Sequence, residues 1–216
     1  MTEELGKIEK PEADSVSGKR KLMVVPMTYY AQSTPEQYMT LFNKYWEQAS
    51  EHITNLEAKI GGINHVYHES IAEAGQEALD IIEKLNPVSH KIIKQKSEAG
   101  ATIEAAEDRE LVEEGMDWER CLMMGFISQK VANTVSEFYF EIAKKRYEKM
   151  AQIIDETLKE NEVGAIFIRE GHMVQFPKDI EVFSVSPPAL DEIHRWQRDY
   201  MAQSKEDKVE KKKADK

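Results

Sequence analysis

The chain has 216 residues, 41% of them apolar and 32% charged, with 40 acids against 29 bases and a formal net charge of −11. That length suits one domain with a core of ordinary size. The composition argues against three classes. No apolar run approaches the ~20 residues that cross a bilayer. The single cysteine, Cys121, allows no intrachain disulfide and no Cys-rich zinc site. An acidic chain is a poor partner for nucleic acid, whose affinity rests on phosphate neutralisation. The first residues hold no apolar stretch and do not read as a secretory signal, so the expected compartment is the cytoplasm.

Residues 1–20 are polar, mixed in charge and without apolar period, and read as a disordered lead-in. Leu22-Met23-Val24-Val25-Pro26-Met27 is a short continuous apolar run, which suits a buried strand, and Pro26 is expected to end its ladder. Thr34 is a natural N-cap with Pro35 at the first helical position and Gln37 three beyond the cap. The long helix that follows carries Tyr38, Leu41, Phe42, Tyr45, Trp46, Ala49, Ile53 and Leu56 at spacings of three and four, and Gly61-Gly62 stops it. Ile63 to Glu69 reads as a second strand. A strand, a long helix and a strand in that order point to a parallel crossover.

Helices then dominate. Glu73 to Leu85 is periodic, Val88 to Lys96 less so, and Glu104 to Glu119, with eight acids and one arginine, reads as a solvated helix. Ser128 to Lys159 is a second long helix, with Val131, Val135, Phe138, Ile142, Tyr147, Met150, Ile153, Ile154 and Leu158 on or near one face. Gly164 to Ile168 and Ile180 to Val185 read as strands, and Pro187-Pro188 opens a last helix with Leu190, Ile193 and Trp196 inward. Gln203 to Lys216 holds six lysines and four acids and reads as a disordered charged tail. The expectation is a single α/β domain over 21–202, with a small mostly parallel sheet of about four strands, long flanking helices and a high helix share. An all-helical scaffold is the alternative if the short strands are misread.

Ligands of open parallel sheets collect at the carboxyl ends of the strands. Three places qualify: Thr28, Tyr29, Tyr30 and Gln32; His68 and Glu69; and Arg169, Glu170 and His172. On a strand, His65 and His68 point to opposite faces, so they are rejected as joint metal ligands, and H-V-Y-H-E is not the helical H-E-x-x-H arrangement. Glu69 is either a strand-end carboxylate that pairs with an arginine or a working acid–base group. Gly171 permits a sharp turn that presents His172 as a base, a metal ligand or an anion binder, or merely as a loop histidine bonded to backbone. His52, His90 and His194 lie in helical segments and read as surface or packing residues. Arg146, in Lys144-Lys145-Arg146-Tyr147, belongs to a solvated face or reaches the sheet rim and binds a carboxylate or phosphate bidentately. Cys121 reads as a buried inert thiol and Met116, Met123, Met124, Met150 and Met173 as gap-filling core. There is no phosphate loop, dinucleotide fingerprint or nucleophile elbow.

The order of these pieces resembles the TraB / erythromycin-esterase / ChaN group, which includes the Tiki proteases. Val66-Tyr67-His68-Glu69 resembles its Glu-ending strand, Arg146 with Met150-Ala151 its Arg helix, and Gly164 to Ile168 followed by Glu170-Gly171-His172 its strand and late histidine. The likeness spans roughly residues 22–175. Where the group's first histidine stands, this chain has Thr28-Tyr29-Tyr30, and the segment from Pro187 to Ile193 lies outside the pattern. The resemblance implies an α/β domain with a polar pocket and hydrolysis of a small or peptide substrate by water activation. Members of the group also use metal-assisted chemistry or bind haem, so a divalent metal is a possible cofactor. It implies Glu69 as general base and His172 as acid or oxyanion stabiliser. Arg146 takes the anionic part of the substrate, with Tyr29, Tyr30 and Arg169 as further binding residues. Separately, the long amphipathic helices have more apolar face than one small sheet covers. That points to a helix-mediated homodimer, and to a binding or assembly protein as the alternative to an enzyme.

Overall fold

Alternate residues of the first strand feed two separate cores. In β1 (Arg20–Pro26), Met23 and Val25 enter one and Leu22 the other, as the two-residue period of a strand requires. The computed structural model describes residues 18–30 and 33–214, with 204–214 described by backbone alone. The lead-in before Gly18, the pair Ala31 and Gln32, and the last two residues lie outside it.

The sheet has five strands, all parallel, in the order β3-β2-β4-β1-β5, with β2 (His65–His68), β3 (Thr102–Ile103), β4 (Val163–Ile168) and β5 (Ile180–Ser184). The α/β, helix-rich class read from the sequence is what the structure has. The extra strand, β3, is two residues long, too short for any periodicity to announce. Its partner β2 nevertheless continues the ladder, since Glu104 N–H donates to the Val66 carbonyl at 2.9 Å.

One face of the sheet is covered by α1 (Glu36–Ile60), α2 (Gly75–Leu85), α3 (Pro87–Glu98) and α6 (Pro188–Ala214). Phe42, Tyr45, Trp46, Ile53, Ile82, Ile93 and Ile193 from these helices meet Val66, Ala165 and Phe167 of the sheet. The other face is covered by α5 (Gln129–Thr157), whose Met150 and Ile154 meet Tyr67, Ile166 and Ile168. On this second face β4 carries Gly164. A Cβ there would lie 2.9 Å from Leu22 Cδ1 and 3.1 Å from Tyr67 Cε2, so glycine is what lets the aromatic ring lie against the strand. No helix among the described residues is long and apolar enough to cross a membrane.

Several local expectations change. The cap of α1 is Pro35, whose carbonyl accepts from Tyr38 and Met39, without a side-chain cap. The proline therefore sits one position outside the helix, not inside it. The acidic helix α4 (Arg109–Met123) starts five residues later than its charge pattern suggests, capped by Asp108, which accepts from Leu111 at 3.2 Å. The stretch 203–214, expected as a frayed tail, has helical backbone within α6. Within α5 only Ile142, Met150 and Ile154 are buried, whereas Val131 and Phe138 are exposed. The cause is that α5 extends well past the sheet and packs there chiefly on α4. For the same reason Met116, Met123 and Met124 are exposed, Met173 in its loop is exposed as well, and Cys121 is only half-buried.

Candidate functional site

Four of the five strands send polar residues to the carboxyl rim of the sheet. Glu69 directly follows β2. It is only 1% exposed, and a buried carboxylate must find donors. Arg169, directly following β4, supplies both: its Nε donates to Oε1 at 2.5 Å and its backbone N–H to Oε2 at 2.9 Å. The side chain of Arg169 is 40% exposed. Burial works against its charge, but the adjacent Glu69 more than offsets this and holds its pKa above the ordinary value. Among the described residues nothing else bonds the Arg169 guanidinium, so its two terminal NH₂ groups are unused there.

The loop after β3 brings Glu107 to the same rim. Its carboxylate, buried completely, receives Arg146 Nε and one terminal nitrogen, both at 2.6 Å, and the Ser70 amide, also at 2.6 Å. Ser70 adopts a left-handed backbone (φ 69°), which non-glycine residues adopt only under local constraint. That conformation turns its N–H toward Glu107. Arg146 thus reaches the rim, as one of the two sequence readings has it, but its fork is filled by a carboxylate of its own chain.

His172 follows Gly171, whose φ of 75° makes the turn after β4. Its Nδ1 is buried and has no partner among the described residues, and its ring lies 5.7 Å from Phe176. Burial lowers its pKa, against the opposing pull of the Glu69 charge, so it is neutral at neutral pH and can donate from one nitrogen only. Tyr29, after β1, faces the same carboxylate. Desolvation first, and the charge of Glu69 second, push its phenol up to about 12. Tyr147 of α5 stands in the fields of Glu69, Arg169 and Arg146, and its pKa is raised, chiefly by burial. Tyr30 turns away to an edge contact with Phe42 at 5.0 Å.

His68 points to the opposite face from His65, as the strand reading requires. Its Nδ1 lies 2.6 Å from the carbonyl of Glu69. A carbonyl only accepts, so Nδ1 carries the proton. Nε2 is left as an acceptor, buried and without a partner among the described residues. His65, at the far end of β2, bonds Glu104 at 2.8 Å and Glu162 at 3.0 Å. His194 bonds Glu170 at 2.6 Å.

The rim therefore unites Glu69, Arg169, His172 and Tyr29, sets Arg146 beside them in an ion pair, and leaves Tyr30 out. Glu107, Ser70 and Tyr147 do not stand out as site residues in the sequence, where Glu107 reads as one acid among many in a solvated helix. The signal that separates it is Asp108, a cap residue that places position 107 in the loop before the helix. A divalent cation finds no group of three His, Cys, Asp or Glu donors among the described residues, and both oxygens of Glu69 already accept from Arg169. The donor set does not fit a metal. Beside the rim runs a groove of about 560 Å³ between α5 and the loop after His172, lined by Phe140, Lys144, Tyr147, Glu148, Ala151, Met173 and Gln175. No family model, no curated protein and no solved structure matches this chain.

Proposed function

We propose that the rim is the active site of a hydrolase that takes a small or peptide substrate bearing an anionic group, acting by water activation without a metal. The observation that supports this reading is the Glu69–Arg169 pair: a buried carboxylate bonded by an arginine whose side chain is 40% exposed and whose two terminal NH₂ groups bond nothing else among the described residues. An anionic substrate competes for that guanidinium. When Arg169 swings outward to bind it, Glu69 is uncovered. A carboxylate offers about four lone-pair positions, so Glu69 can keep the backbone N–H of Arg169 and still accept a water proton. Glu69 is then the general base. His172, neutral, donates from one ring nitrogen to the oxygen on which charge develops. Tyr29 lines the approach, and the groove along α5 receives the apolar part of the substrate. The resemblance to the TraB / erythromycin-esterase / ChaN group supports the same roles for Glu69 and His172, and the ion pair of Arg146 moves the anion-binding role to Arg169. The single cysteine favours the cytoplasm as its compartment.

The test is turnover of chromogenic esters and fluorogenic peptides, with and without a carboxylate, by wild type, Glu69→Gln, Arg169→Gln and His172→Ala, each checked by thermal melting. Expected are loss of turnover in Glu69→Gln with a melting temperature close to wild type. Selective loss on carboxylate-bearing substrates is expected in Arg169→Gln. Wild type without turnover on any substrate, or turnover that survives Glu69→Gln, refutes the reading.

A further inference from the structure

Phe140, Lys144, Tyr147 and Ala151 recur along α5 at spacings of three and four, so they share one face of that helix. Met173 and Gln175 of the loop after His172 line the groove of about 560 Å³ with them. The two charged residues of the lining, Lys144 and Glu148, pair with each other at 3.7 Å, so the groove carries no net charge. Tyr147 marks where the groove meets the rim, because its phenol stands in the fields of Glu69 and Arg169. An apolar trough thus adjoins a cation whose two terminal NH₂ groups bond nothing among the described residues. That combination complements a ligand with one carboxylate and one uncharged apolar tail.

We propose that the site takes N-acyl-α-amino acids, with the carboxylate on Arg169, the amide at Glu69 and a medium-length acyl chain in the groove. This rests on the hydrolase reading above and names its substrate class. Two observations select the class. The first is the closeness of base and cation. Arg169 Nε lies 2.5 Å from Glu69 Oε1, and the backbone N–H of Arg169 holds Oε2 at 2.9 Å, so only the arginine side chain moves when an anion binds. The bond that Glu69 attacks through water and the carboxylate that Arg169 holds must then be near neighbours in the ligand. In an N-acyl-α-amino acid the nitrogen and one carbon are all that separate them. The second is the wall of the groove. The backbone groups of α5 are spent inside the helix and offer no ladder to a peptide, whose amides would lose water without replacement. A methylene chain has no such groups to strand and gains by burial. In the reaction Glu69 takes one proton of the water as the water oxygen bonds to the acyl carbon. The carbonyl electron pair moves onto its oxygen, where His172 donates to it. The pair then returns, the C–N bond breaks, and Glu69 passes its proton to the leaving nitrogen. The new carboxylic acid loses its own proton to the amine through solvent, which leaves a fatty carboxylate and a free amino acid.

The test measures binding and turnover separately, on the full chain. The binding probes are N-alkylsulfonylglycines from ethyl to dodecyl, in which a sulfonyl group replaces the scissile carbonyl so that no hydrolysis intervenes. By calorimetry, affinity for wild type should rise by up to about fourfold per methylene and level off once the chain outruns the groove. Arg169→Gln should weaken all members alike, by about ten- to a hundredfold. Phe140→Asp and Met173→Asp should flatten the chain-length series and leave the ethyl member unchanged. Both residues are more than half exposed, so these variants should keep the circular dichroism of wild type. N-decanoylglycine should be hydrolysed with a higher kcat/KM than N-acetylglycine. An affinity that ignores chain length overturns the proposal, as does a chain-length gain that survives both aspartate variants. Trialanine bound more tightly than the decyl probe also overturns it, in favour of a peptide's carboxyl end. Turnover of other esters or peptides without any chain-length gain overturns the substrate class and leaves the hydrolase standing. Binding that follows chain length and Arg169, without turnover of any acylglycine, supports the ligand class and overturns Glu69 as the base.

Discussion

Arg146 reaches from the middle of α5 to Glu107 in the loop after β3 and closes two 2.6 Å bonds to its carboxylate, with the Ser70 amide as a third donor to that group. Three segments far apart in the chain, the exits of β2 and β3 and the helix on the second sheet face, are fastened at one buried anion.

Removing one partner of a buried ion pair leaves the other charge without compensation, at a cost of about 3–5 kcal/mol. Arg146→Ala is therefore expected to lose stability of that order in urea unfolding. Replacing both partners, Arg146→Met with Glu107→Gln, is expected to lose clearly less than the sum of the two single changes. Additive losses would show that the two side chains do not act as a pair.

Gly164 sits against Leu22 and Tyr67 with no room for a methyl group. Gly164→Ala is expected to cost about 1–3 kcal/mol, the usual penalty of overpacking a filled core, and the double variant with Leu22→Ala should lose less than the sum of the two single changes, because the smaller side chain removes the clash. Thermal melting of the two single variants and the double reads this directly. A Gly164→Ala protein as stable as wild type would show that the strand can shift to make room.

The strands and long helices are legible because buried strands and amphipathic helices write their periods into the sequence, as in Leu22 to Met27 and Tyr38 to Ile53. The carboxyl-end rule then singles out Glu69, Arg169 and His172. Three things are not legible. A two-residue strand such as Thr102–Ile103 has no period. Glu107 looks like its acidic neighbours, since only the fold sets Arg146 opposite it. The apolar residues Val131 and Phe138 obey the helical period whether they meet a sheet or only a neighbouring helix, so the pattern cannot say where the sheet ends.

Arg20 ties the amino end of the sheet together. Its guanidinium bonds Asp179 through Nε at 2.7 Å, Asp155 at 2.7 Å, and the carbonyls of Asp155 and Leu158 at the end of α5. A lysine supplies one compact charge in place of this planar fork and cannot meet β5's approach and the helix end together. Arg20→Lys is expected to cost about 1.5–3 kcal/mol, the range for a hydrogen bond to a charged group. Hydrogen exchange should show the protection lost first at Val163, Ile180 and the last turn of α5. Unchanged protection there would mean the lysine re-forms the clasp.

His68 makes the fold acid-sensitive in a defined window. Burial, its largest influence, pulls its pKa from 6.5 down to about 4, against the weaker opposing effect of its bond to the Glu69 carbonyl. Above pH 6.5 the histidine is neutral in both the folded and unfolded chain and adds nothing to the pH dependence. Between 6.5 and 4 the unfolded chain binds a proton that the folded chain does not, so stability falls with pH. The total over that window is about 3 kcal/mol, since each tenfold difference in proton affinity is worth about 1.4 kcal/mol. Below about pH 4 both states are protonated and the contribution is level. His68→Asn keeps a donor near the Glu69 carbonyl and removes the titration. Urea unfolding at pH 7, 5.5 and 4.5 should therefore give curves for the two proteins that converge toward acid, the variant losing less than wild type. Curves that stay parallel across this range would show that His68 is protonated in the fold, with its buried Nε2 satisfied by a partner such as bound water.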